Sequence, residues 1–99
     1  MRFLMFIALP VMLATPALAG PLERACLAAA RDAQAETCRC IQTAADRVLA
    51  LDEQNLVAKF FQDPHLSQEL RTSRNARDAD LWARYKDFGA QAEQLCARG

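Results

Sequence analysis

Four cysteines carry the most explicit chemistry in this 99-residue chain: Cys26, Cys38, Cys40 and Cys96. Their sulfurs can form disulfides, exchange electrons as a dithiol, or hold a soft metal, and spacing separates these outcomes. Cys38-Arg39-Cys40 leaves one residue between thiols. Thioredoxin-like pairs instead use Cys-x-x-Cys in a βαβ setting, and zinc sites usually leave two or more residues between paired cysteines. A site built from Cys26, Cys38, Cys40 and His65 therefore departs from metal-ligand spacing, and no Cys-x-x-Cys-His run is present for haem attachment. The even set favours two structural disulfides, with thiol–disulfide exchange or metal handling through Cys38 and Cys40 as the alternative. No cofactor is implied.

The remaining reactive groups form no catalytic constellation. His65 is the sole histidine and follows Asp63-Pro64. General acid–base work needs a partner of defined geometry, and no such motif accompanies it. A partly exposed capping or packing role is expected for His65. Between Arg71 and Lys86, five cations (Arg71, Arg74, Arg77, Arg84, Lys86) outnumber the two acids Asp78 and Asp80. From Glu23 to Glu69, eight acids outnumber five bases. Guanidinium forks at 71, 74 and 77 suit carboxylate or phosphate groups. The competing use of these arginines is a solvated face with local pairs such as Arg74–Asp78 and Arg77–Asp80. Trp82, Arg84 and Tyr85 offer a second candidate, an aromatic platform beside a cation for an anion or a flat ligand.

Composition bounds the class. With 12 basic and 12 acidic residues the formal charge is zero, which argues against a nucleic-acid partner. Hydrophobic residues at 53% argue against disorder, and this length supports one domain at most.

Met1-Arg2, an apolar run from Phe3 to Ala14, and the small-x-small ending Ala17-Leu18-Ala19 together read as a secretory leader cut between Ala19 and Gly20. A retained anchor is the weaker reading, because Pro10 and Pro16 break a run already short of the roughly 20 residues a spanning helix needs. Lipid attachment would need a cysteine directly after the cut, and the first is Cys26. Residues 1–19 are thus the expected signal peptide and 20–99 a single helical domain without membrane contact. Its expected location is the periplasm, an oxidising space that suits disulfides.

The elements that must position these groups are helical. After Pro21, a good first helical residue, the chain carries a period near 3.6 and no alternating strand pattern. Leu22, Ala25, Cys26 and Ala29 share a face of the first helix, expected over 22–30. Ile41, Ala44, Ala45, Val48 and Leu49 mark the second, over 38–50 with a start at Glu36-Thr37. Asp52 is the expected cap of a third helix presenting Leu56, Val57, Phe60 and Phe61, which Asp63-Pro64 terminates. A short piece over 64–70 and a final helix over 78–96 follow. The last carries Leu81, Tyr85, Phe88, Ala92 and Leu95 on a narrow stripe. The expected fold is all-α, a small disulfide-stabilised bundle of four to five short helices. The stripe spans little more than two heptads, so a monomer is expected rather than a coiled-coil pair.

Cys38–Cys40 would close a strained ring, which leaves two pairings. If the first two helices form an antiparallel hairpin hinged near Ala33-Gln34, Cys26 lies level with Cys40. Cys38 then points roughly 200° away, towards the last helix. Cys26–Cys40 with Cys38–Cys96 is expected on this basis, modestly ahead of Cys26–Cys38 with Cys40–Cys96.

Pro21-Leu22-Glu23-Arg24-Ala25-Cys26-Leu27, Cys38-Arg39-Cys40-Ile41-Gln42, Ala58-Lys59-Phe60-Phe61-Gln62-Asp63-Pro64-His65 and Leu81-Trp82-Ala83-Arg84-Tyr85-Lys86-Asp87-Phe88-Gly89-Ala90 span much of the exported part. In these segments the chain resembles a group of small exported alphaproteobacterial proteins that often carry the label "arginine transporter". The resemblance implies a shared scaffold containing the four cysteines and the Lys-Phe-Phe-x-Asp-Pro-His turn, and no activity. Transport in the literal sense would need repeated bilayer crossing, which a cleavable leader cannot supply. The expected function is non-catalytic: an exported helical protein that binds a protein or small anionic partner.

Overall fold

The computed structural model describes residues 19–29 and 32–97, so all of the expected leader except Ala19 lies outside the described residues. Five helices follow in chain order: α1 (Pro21–Ala29), α2 (Ala35–Val48), α3 (Leu51–Gln62), α4 (His65–Thr72) and α5 (Ala76–Cys96). The described residues contain no strand. The fold is an all-α bundle held by two disulfides.

The helix 2 sequence places it at the centre. Cys38, Gln42, Ala45 and Leu49 recur at helical spacing and are buried, forming the stripe nearest α1 and α3. Cys40, Ile41, Ala44 and Val48 form an adjacent stripe towards α5, with Ile41 beside Ala92 and Cys96. Ala44 and Ala45 are both fully buried, and their small side chains let neighbours approach α2 from two sides. Val57 and Phe60 of α3, Leu70 of α4, and Leu81 and Phe88 of α5 complete the core around Leu22. Ile41, Val48, Phe61, Leu66, Trp82, Tyr85 and Ala92 pack at its margin.

Several boundaries differ from expectation, each for a local reason. Helix α2 begins at Ala35, upstream of Glu36-Thr37, with Gln34 as an N-cap that makes no side-chain bond. Helix α3 is capped at Ala50 rather than Asp52. Leu49 and Ala50 are both extended, making a two-residue corner after α2, and the Glu53 carboxylate reaches back to accept from the Ala50 N–H at 2.9 Å. That backward reach from the third helical position satisfies an otherwise orphaned donor. Asp63-Pro64 ends α3 as expected, and the Asp63 carboxylate then accepts from His65 N at 3.2 Å to start α4. Helix α5 begins at Ala76, where the Asn75 side chain accepts from Arg77 N at 2.8 Å.

The core stripe of α5 also departs from expectation at its end. Leu81 and Phe88 are buried, whereas Leu95 is 41% exposed. After Ala92 the core-facing position falls on Cys96, whose bridge to Cys40 ties the helix end to α2. Four residues turn a helix through 400° and three through 300°, so a 4-3-4-3 stripe drifts around a straight helix.

Candidate functional site

The disulfides are Cys26–Cys38, with Cα atoms 5.5 Å apart, and Cys40–Cys96, at 5.8 Å. This corrects the expected Cys26–Cys40 and Cys38–Cys96. The register of the α1–α2 hairpin decides it. Gln42 Oε1 accepts from Leu22 N at 2.8 Å, and one turn along each antiparallel helix brings Cys26 opposite Cys38. The expected hinge at Ala33-Gln34 lay too far along the chain, since α1 ends at Ala29 and α2 begins at Ala35, which centres the connection before Ala33. Cys38 and Cys40 point to different neighbours, so a two-residue register error exchanges their partners. They belong to separate bridges, and Cys38 is fully buried. No dithiol pair of Cys38 with Cys40 is formed.

Arg71, Arg74 and Arg77 are brought to one corner. Arg71 lies in the last turn of α4, Arg74 in the connection, and Arg77 in the first turn of α5. All three are exposed. The corner is fixed by short-range bonds: Ser73 Oγ donates to Asp78 Oδ2 at 2.6 Å and accepts from Asn75 N at 3.2 Å. Among the described residues the arginine or lysine paired with a carboxylate is Arg84, with Glu53, so neither Arg74–Asp78 nor Arg77–Asp80 forms. Arg71 complements the carbonyl end of α4, but Arg77 places a cation at the positive end of the α5 dipole. Arg77 therefore adds to the positive field of the corner instead of balancing it.

Trp82, Arg84 and Tyr85 do not converge into a platform. Arg84 turns to α3, where its Nε donates to Glu53 Oε2 at 2.9 Å. That bond, aided by the Ala50 N–H and opposed by burial, holds the Glu53 carboxyl below its ordinary 4.5. Hydrogen bonding to Glu53 in turn raises Arg84 above its ordinary value. Tyr85 packs edge-on against Phe60 with centroids 5.2 Å apart and leans on Trp82 at 5.6 Å. The cation nearest the Trp82 ring is Lys86, 6.0 Å from its centroid, at the limit of a cation–π contact. This cluster closes the α3–α5 seam. His65 is more exposed than expected, at 76%, with Nε2 3.6 Å from Glu69.

A polar hub inside the bundle was not among the expected sites. Gln42 Oε1 accepts from Leu22 N and, at 3.0 Å, from Glu23 N, the first free donors of α1 after Pro21. Gln42 Nε2 donates to Asp46 Oδ1 at 2.8 Å and to Gln54 Oε1 at 2.7 Å. Gln54 Nε2 donates to Asp46 Oδ1 and to the Leu49 carbonyl, each at 3.1 Å. Both glutamines are buried, and no buried side-chain polar atom among the described residues lacks a partner. The hub thus caps the start of α1 and the end of α2 from a third direction. A polar residue within the Cys38–Ala45–Leu49 stripe was the available signal. Gly20 abuts this hub: a Cβ there would stand 2.3–2.6 Å from the Gln42 carboxamide.

The chain matches no family model, and no curated protein or solved structure matches it significantly. No helix among the described residues is long and apolar enough to cross a membrane. Two disulfides suit an oxidising compartment.

Proposed function

We propose that this is an exported, periplasmic, non-catalytic helical domain that binds an anionic partner, an acidic protein surface or small anion, through Arg71, Arg74 and Arg77. One observation carries the reading: three exposed arginines share a capped corner without an ion pair among the described residues. Guanidinium groups left to water on a fixed frame keep their forks available for carboxylate or phosphate oxygens. Trp82, Arg84 and Tyr85 have structural duties in this reading and are not placed in the contact. Export is supported by the two bridges and by the leader pattern of residues 1–19, and the likeness to small exported alphaproteobacterial proteins agrees with it. The label "arginine transporter" is not adopted.

The test is a crosslinking pull-down from periplasmic extract with the wild-type chain and an R71Q/R74Q/R77Q variant, read with the intact mass of the recovered protein. Salt-sensitive capture that the variant loses is the expected result. Capture of the same partners by the variant, or a mass retaining residues 1–19, would overturn the reading.

A further inference from the structure

We infer that the groove between α1 and α3 is a binding site for a small oxyanion, distinct from the arginine corner. The groove has a volume of about 330 Å³, with Arg24 and Ala25 on one wall and Asn55, Ala58, Lys59 and Gln62 on the other. Its chemistry is one-sided. Two cations and two carboxamides line it, and no carboxylate does. Neither Arg24 nor Lys59 takes part in an ion pair among the described residues. Alanines at 25 and 58 leave room between helices where larger side chains would close the space. The groove is open, its polar side chains Arg24, Asn55, Lys59 and Gln62 all being exposed, so it offers charge and donors to an anion at the surface.

The residue types fit that ligand. A guanidinium offers a planar fork and an ammonium a compact point charge, so one ligand can meet both from opposite walls. Asn55 and Gln62 add amide donors that a carboxylate or phosphate accepts, and the two cations repel an organic cation. Arg24 already engages an oxygen: its Nη1 donates to the Ala19 carbonyl at 2.5 Å. On the export reading given above, cleavage after Ala19 removes this acceptor and frees the fork for a ligand.

Succinate and inorganic phosphate are the probes, titrated separately into protein as the exporting host leaves it and followed by NMR. Saturable one-site binding of at least one probe is expected, with shifts of the Asn55 and Gln62 carboxamide signals. The probe that saturates identifies carboxylate or phosphate as the preferred group. An R24Q/K59Q variant should raise the Kd at least tenfold. An R39Q/R47Q variant, which removes the same charge from exposed positions on α2, should change it less than twofold. Melting curves establish that both variants fold. Absence of saturation with both probes, or equal weakening by the two variants, would overturn the inference. The pull-down reads Arg71, Arg74 and Arg77, so either proposal can fail without the other.

Discussion

Replacing Gln42 by leucine tests whether the buried hub holds the hairpin in register. The side-chain volume is nearly kept, but the Leu22 and Glu23 N–H groups lose their acceptor and Gln54 Oε1 loses a donor. An unsatisfied buried group costs about 1–3 kcal/mol, so three such losses, the Glu23 one only part-buried, outweigh the roughly 1–2 kcal/mol gained by burying leucine. A net destabilisation of about 3 kcal/mol is expected. For a domain of this size that lowers the Tm by at least about 12 °C. Urea melts with the disulfides intact are the assay, with an unchanged m-value showing that the loss belongs to the folded state. Gly20→Ala presses on the same carboxamide from the other side. Hydrogen bonds prevent the amide from swinging away, so a cost of about 1–2 kcal/mol is expected. Q42L/Q54L should cost less than the sum of its single variants, because removing Gln54 also removes the orphaned oxygen. A Q42L loss below about 1 kcal/mol would refute the reasoning, since it would mean that water satisfies these groups and the hub is not a dry anchor.

The bridges should differ in value. Cys40 and Cys96 are 56 residues apart and Cys26 and Cys38 only 12, so chain-entropy estimates give about 4 and about 3 kcal/mol respectively. C40A/C96A should therefore melt below C26A/C38A, and peptide mapping of the wild type should recover Cys26 linked to Cys38. The Glu53–Arg84 pair sets a pH dependence. The Glu53 pKa is lowered in the folded state, so its stabilisation is present above the ordinary 4.5 and is lost as pH falls through the folded value. Melts from pH 7 to pH 3 should show the gap between wild type and E53Q closing below about pH 4.5. A gap constant with pH would remove the ion pair as its cause.

The secondary structure and its stabilising sulfurs were legible because they rest on local rules. Helical periodicity, Pro21 at a first position, and Asp63-Pro64 as a stop all act within a few residues, and the five helices form in the expected order, with several ends shifted by a turn or less. The cysteine set pointed to structural bridges from its number and spacing. What the chain could not disclose by itself was register. The expected hinge and the observed one place Cys26 against different residues of α2, and on a helix a shift of two positions turns a side chain to the other face. That choice is made by the fit of Gln42 against Leu22 and Glu23, an interaction across twenty residues that no local pattern encodes. The same holds for function. Arg71, Arg74 and Arg77 were visible as a charge run, but only packing showed that Arg84 is spent on Glu53. It also showed that Arg24 and Lys59, thirty-five residues apart in the chain, line one groove. Side-chain type and short spacing determine which helices form and which groups can react; the relative rotation and offset of those helices determine which groups meet.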